Sequence, residues 1–528
     1  MRHSIVTLAA CSALGTLLAA GTPAAPPATD VRAALHVLNR ITWGPRPGDL
    51  ERVQRMGVER FIDQQLHPDM LDDGGLERRL ERFETLQLTS RDIAVQFAIP
   101  ALEARRARQA QGGDTVPGAG AAPQAANGPE RLRPHLPLVE LADAKIVRAV
   151  YSERQLHEVL ADFWFNHFNV DATKGTTRFL LTEYEREAIR PYVLGRFRDL
   201  LGATAKSPAM LFYLDNWMSV DPNGPHLEQM RPAARRLPNR RQRQAGQSDA
   251  PPARRPSGLN ENYGRELLEL HTLGVDGGYS QHDVTEVTRA FTGWSIELPR
   301  QGGGFRFAAA LHDNGQKMVL GHRLAAGGGI RDGEQVLDIL AAHPATARFI
   351  STKLARRFVS DTPPAALVDR MTGTFTKTSG DLRAVMTVLL TSSEFLSPAA
   401  EPSKVKTPLE FVVSALRATG AEIRDGKTLV RSLEQLGMPL YQCQPPTGYA
   451  DTAEAWVNTG ALVQRMNLAL SLASGEVRGV RLTSPPKADA LLQGSVSETT
   501  RATIAKAKAQ SERQALALAL GAPEFQRR

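Results

Sequence analysis

Apolar residues recur at helical spacing along most of the chain, divided by short polar, glycine-rich or proline-rich breaks. The pattern predicts helices over Val31–Arg40 and Asp49–Met56, separated by Trp43-Gly44-Pro45-Arg46-Pro47-Gly48, a stretch that must turn sharply. Gly57 ends the second helix, and Glu59–Leu66 resumes the pattern. Ser152-Glu153-Arg154-Gln155 reads as a capping box, with the serine hydroxyl and glutamine amide satisfying orphan backbone groups. The helix it opens places Leu156, Leu160, Phe163 or Trp164, and His167 on one stripe. Further helices are expected over Thr182–Arg190, Arg196–Thr204, Pro208–Trp217 and Leu259–Leu273, the last with Asn260 as N-cap and Gly274 just past its end. Ser280-x-x-Asp283 caps a helix running to about Phe291. Later ones follow at Gln335–Leu340, Ala345–Val359, Leu382–Leu390, Pro408–Thr419 and Thr459–Leu472.

The one strand signal pairs Phe305–Phe307 with Lys317–Leu320 as a hairpin, hinged at Asn314-Gly315, a type I′ dipeptide. The expected fold is therefore mainly α, one large multi-helix body with a small β-hairpin. Two stretches, about 105–137 and 223–257, carry no apolar period. They read as disordered insertions, with little apolar surface to offset ordering costs of about 1–2 kcal/mol per residue. Ser393-Glu394-Phe395 and Pro523-Glu524-Phe525 echo each other near helix ends, too briefly to make a repeat.

Composition narrows the class. Of 528 residues, 42% are hydrophobic and 23% charged, which excludes a multi-span membrane protein and wholesale disorder. The net charge of +8 is concentrated: eight arginines against Glu228 and Asp249 between Gly224 and Ser257 supply +6 of it. A basic surface for nucleic acid is therefore not expected. Arg2 and His3 precede an apolar run from Ile5 to Ala20 and a Pro/Ala stretch, the layout of a secretory signal over residues 1–24. Such a signal makes the protein periplasmic or secreted, with no transmembrane helix after cleavage near Ala20 or Ala24. Leu8-Ala9-Ala10-Cys11 fits a lipoprotein box less well, because apolar sequence continues beyond Cys11. After cleavage Cys443 is the sole cysteine, so neither an internal disulfide nor a Cys-based zinc site is expected. Haem-attachment and nucleotide-loop signatures are absent as well.

Several segments together resemble a bacterial domain-of-unknown-function family, number 1800. They include His36–Gly44, Phe163-Trp-Phe-Asn-His-Phe168, Ser207–Leu211 with Tyr213-Leu-Asp-Asn216, and the long Asn260–Tyr279 continuing to Thr292–Trp294. His343–Ala347 and Trp456–Asn458 follow, so the resemblance runs from about His36 to Arg528 outside both insertions. It implies an exported, largely helical protein, encoded beside an exported sulfatase-like protein that is its candidate partner. It implies no activity and no site residues.

The residues themselves suggest where chemistry would lie. On an α-helix Asn262, Glu266 and Glu269 share one face, Glu261 and Arg265 lie beside it, and Leu267, Leu268 and Leu270 pack inward. Two carboxylates so spaced suit an acid–base pair or a metal site. His167, on an apolar stripe, is expected to join Glu266 and Glu269 as a divalent-metal ligand or a base, with Arg265 alongside. The alternative is architectural, with the glutamates spent on Arg265 or Arg289 and His167 satisfied in the core. His36, His312 and His343 are lesser candidates, and Pro445-Pro446-Thr447-Gly448-Tyr449 reads as a rigid loop. Two functions remain open: an exported carboxylate/His hydrolase or polymer-processing enzyme, or a non-catalytic exported partner or scaffold.

Overall fold

A computed structural model describes residues 30–110, 133–224, 258–297, 303–397, 400, 403–492 and 496–528. The expected signal at 1–24 lies outside them, as do residues 225–257 of the second expected insertion.

The chain is mainly α-helical. Asp30 accepts a hydrogen bond from the Arg32 amide (3.0 Å) and opens Val31–Ile41, whose Ala34, Val37, Leu38 and Ile41 are fully buried. Each large aliphatic side chain removed from water in this way contributes roughly 1.5–3 kcal/mol. The chain then turns through Gly44 (φ 101°) and Gly48 (φ 87°). A Cβ on Gly44 would stand 2.9 Å from that of Ser414, so the turn also lets this loop lie flat on the helix Pro408–Ala418. Helices Asp49–Met56 and Val58–Leu66 follow, broken at Gly57 (φ 93°). At the centre lies Gln155–His167, whose Leu156, Val159, Leu160, Phe163, Trp164 and Phe165 point inward over several faces. A helix apolar over so much of its circumference can only be a core helix. One contiguous cluster of buried apolar side chains extends from Ala34 to Phe525 and includes these residues.

Three expectations need correction. The predicted hairpin does not form. Phe305–Phe307 pairs antiparallel with Trp294–Ile296, while Lys317–Val319 pairs with His322–Leu324 across Leu320-Gly321, both with positive φ (47° and 79°). Asn314-Gly315 is displaced from the turn role by charge. Asp313 binds Arg289 (2.7 Å), and Lys317 is buried with its ammonium on Asp332 (2.7 Å) and the Gly315 carbonyl (2.9 Å). Long-range ion pairs have outweighed a local turn preference.

The capping box at Ser152 is also absent. Ser152 Oγ donates to Asp73 (2.7 Å), and Gln155 accepts from the Trp43 amide (3.1 Å) while donating to Ala149 and Ser152 carbonyls. Both polar groups are used to tie the N-terminal helices to the central one. Finally, the first insertion is narrower than expected. Ile99–Ala110 and Leu136–Tyr151 are helices reaching into it from both sides, and residues 111–132 lie outside the described set.

Among the described residues no helix is long and apolar enough to cross a membrane.

Candidate functional site

Asn260 caps the helix Glu261–Glu266, its side chain accepting from the Asn262 amide (3.1 Å). From Leu267 to Leu273 the backbone widens into a π-helical run. Thr272 Oγ1 helps hold it, donating to the Leu267 carbonyl five residues back (2.6 Å). Gly264 fits this helix against Gln281–Ala290, because a Cβ there would lie 2.4 Å from Thr288 Oγ1. The wider turn rotates everything after Leu267 away from α-helical register. Leu270 is therefore only half-buried, and His271 turns into the core. Asn262 is exposed, while Glu266 and Glu269 are half-buried neighbours.

The two glutamates are not consumed by arginines. Arg265 reaches Glu261 (3.3 Å) and Gln281 (3.0 Å), and Arg289 is held by Glu286 and Asp313. Glu269 accepts a hydrogen bond from the Tyr279 hydroxyl (3.1 Å). Glu266 makes no hydrogen bond or ion pair with any described residue. Burial, then the charge of Glu269, pushes its carboxyl above the usual glutamate range, against a smaller opposing pull from Arg265. A carboxyl raised in this way keeps its proton to higher pH than a free glutamate and can release it to a bound group.

His167 does not join them. Its Nε2 donates to the His271 carbonyl (3.1 Å), and its Nδ1 accepts from Lys353 Nζ (3.0 Å). Burial, followed by Lys353 and His271, holds the imidazole well below its ordinary pKa, so it is neutral and serves packing. Both nitrogens are engaged, and the expected His167–Glu266–Glu269 metal set is not assembled. Among the described residues no three His, Cys, Asp or Glu side chains stand together as a metal site. The expectation placed His167 by its stripe alone, whereas its ring nitrogens face the His271 carbonyl and Lys353.

Tyr213 is close enough to feel the charge of Glu266, and further polar groups lie around Tyr213. Tyr213 donates to the Gln444 carbonyl (2.7 Å); burial first, then Asp171, Cys443 and Glu266, raises its phenol. Asp171 is buried and accepts from both the amide and hydroxyl of Thr173 (2.8 and 2.5 Å). Lys174 bridges the Tyr213 carbonyl and Asp215 (2.7 Å), and Asn262 donates to the Leu214 carbonyl (3.3 Å). Asp215 and Tyr441 both have positive φ (61° and 62°), conformations that non-glycine residues keep only when their surroundings impose them. The proline-rich loop is clamped here: Asn166 pairs with both the amide and carbonyl of Tyr449 (2.7 and 2.8 Å), and Asn169 donates to Cys443 and Pro445 (2.8 Å each). Asp171, Lys174, Tyr213 and Asp215 were not among the expected site residues. For Tyr213 and Asp215 the signal was that Tyr213-Leu-Asp-Asn216 carries part of the family resemblance; Asp171 and Lys174 carried none.

Gly448 (φ 74°) is the tightest point of that clamp, since a Cβ would come within 2.3 Å of the Asn166 carbonyl oxygen. Gly448→Ala should therefore cost about 1–3 kcal/mol in a thermal or urea melt. A variant as stable as the parent would show the loop to be loosely held.

The segments that meet here are those carrying the resemblance: 163–168, 207–216 and 260–279. No curated protein and no solved structure matches the chain. The family model described as "Protein of unknown function (DUF1800)" matches residues 36–527, nearly the whole length, and the chain therefore belongs to that family.

Proposed function

We propose that the protein is an exported enzyme, a hydrolase or other polymer-processing activity, in which Glu266 and Glu269 work as an acid–base pair. One observation carries the reading: Glu266 is half-buried and has no partner among the described residues, and its proton is favoured by burial and by the adjacent Glu269. Glu266 would protonate the leaving oxygen of a scissile bond. Glu269, oriented by the Tyr279 hydroxyl, would take the proton of the attacking water. Arg265 lies beside the pair and tempers its negative charge without binding either carboxylate. The test is release of soluble fragments from isolated envelope polymers by the purified full chain, parent against Glu266→Gln. Cleavage by the parent and not by the variant is expected; equal activity of the two removes Glu266 from the chemistry.

Export rests on the basic start and apolar run of residues 1–24. N-terminal sequencing of protein from its native host should find a chain beginning about 20–25 residues in, and an intact Met1 in a cytoplasmic fraction would contradict it.

A second reading, a non-catalytic partner of the sulfatase-like protein or of an envelope polymer, has one observation in its favour. Leu462, Val463 and Leu470 on the helix Thr459–Ser474, with Val457 just before it, are large apolar side chains exposed to solvent. Under that reading the parent cleaves no polymer, and Glu266→Gln leaves its associations unchanged.

A further inference from the structure

A cavity of about 660 Å³ lies between the helix Val31–Ile41 with its following turn and the C-terminal stretches 486–492 and 523–528, with Val496 beside them. That volume is in the range of sites for small organic ligands. Much of its wall is apolar, including Leu35, Leu50, Leu491, Leu492 and Phe525. Set into this wall is Lys406, 4% exposed, whose ammonium makes no hydrogen bond or ion pair with any described residue. Its one close neighbour of note is the face of the Phe525 ring, 4.0 Å from Nζ. His36 also lines the cavity; its Nε2 bonds the Phe395 carbonyl (2.7 Å), and its Nδ1 is buried without a partner. The two echoing phenylalanines of the sequence thus each sit against one polar group of this cavity.

The ground beneath the cavity is unusually cationic. Arg40, Arg357, Lys404, Lys406, Arg465 and Arg528 are all buried, and Glu410 is the equally buried side-chain carboxylate among them. Glu410 binds Arg357 (2.5 Å) and Arg528 (2.8 Å), and Lys404 reaches Asp361. Nothing comparable serves Lys406. A charged ammonium withdrawn from water without an ion-paired carboxylate is costly, and burial lowers its pKa to about 7; the charge of Glu410 offsets part of that lowering, and Arg528 and Arg465 add to it. An anion in the cavity would supply the missing partner while the apolar wall takes a hydrocarbon body.

We infer that this cavity binds an amphiphilic anion, a carboxylate or phosphate monoester bearing an apolar tail, with its head on Lys406. The inference is independent of the Glu266–Glu269 pair, since the cavity shares no lining residue with it. Calorimetric titration of the full chain with octanoate, octyl phosphate and uncharged octanol tests it. At least one anion should bind about tenfold more tightly than octanol, a preference worth one charge-assisted contact. Which of the two anions binds better distinguishes a carboxylate from a phosphate head. Lys406→Met should weaken the anion about tenfold and leave octanol unchanged, while Leu491→Trp, which fills the cavity, should weaken all three. Octanol binding as well as the anions, no anion binding at all, or unchanged anion affinity in Lys406→Met would each overturn the inference. If Lys406→Met does not fold, Leu491→Trp decides, and undiminished anion binding by that variant overturns it.

Discussion

Replacing Glu410 by glutamine should destabilise the protein by about 3–5 kcal/mol, the usual loss when one member of a buried ion pair is removed. Glu410 is buried, lies 2.5 Å from Arg357 and 2.8 Å from Arg528, and accepts the Thr407 amide (2.8 Å) that opens the helix Pro408–Ala418. Glutamine keeps an acceptor for that cap, so the loss reports the charge. Burial by itself would raise this carboxyl, but Arg357, Arg528 and the Thr407 amide outweigh it and hold the pKa at about 2. The folded value is therefore depressed below the unfolded value of about 4.3. Its stabilisation is present above that unfolded value and is lost as pH falls toward about 2. Urea melts of parent and Glu410→Gln should differ widely at neutral pH and converge over that window. Equal stability at neutral pH would mean that the arginines are satisfied without Glu410.

The second large effect is on activity. If the proposed acid–base pair is at work, Glu266→Gln should lower polymer cleavage by about 10²–10⁴-fold, the contribution of a positioned general acid, without loss of stability. The sign follows from the raised folded pKa. The folded protein holds this proton more tightly than the unfolded chain, so ionising Glu266 costs stability as pH rises from the unfolded value through the folded one. The variant lacks that cost and should melt at or above the parent's temperature near neutral pH. Cleavage by the parent should fall as pH rises through the Glu266 pKa, because the acid is then spent. Glu269→Gln should also reduce cleavage, and by removing a neighbouring charge it should let Glu266 ionise more readily. A destabilised Glu266→Gln protein would point instead to a structural carboxylate.

Signals confined to one helical turn of the sequence carry through to the fold. Asp49–Met56 and Leu382–Leu390 form over the expected residues, and the Asn260 cap and the Ser280–Asp283 capping box are present. Each depends on side chains within one helical turn of the backbone they serve. What failed depended on distant groups. Ser152 and Gln155 are claimed by Asp73 and Trp43, and Asn314-Gly315 is overruled by Arg289 and Asp332. Glu266 and Glu269 are neighbours, as their spacing three residues apart implied, whereas the π-helical run turns His271 into the core against that spacing. The Lys406 cavity was invisible for the same reason at larger scale. Its walls come from residues near 36, 406, 491 and 525, and no local pattern marks a lysine that folding buries without an ion-paired partner among the described residues.

The measurement that bears most directly on the acid–base reading is the protonation state of Glu266 itself. Infrared difference spectra of parent and Glu266→Gln across pH isolate the carbonyl stretch of the protonated carboxylic acid. A protonated band that persists above the ordinary glutamate value of about 4.3, and that is missing in Glu266→Gln, is the predicted result. A Glu266 carboxyl that is ionised at and above that value would contradict the account.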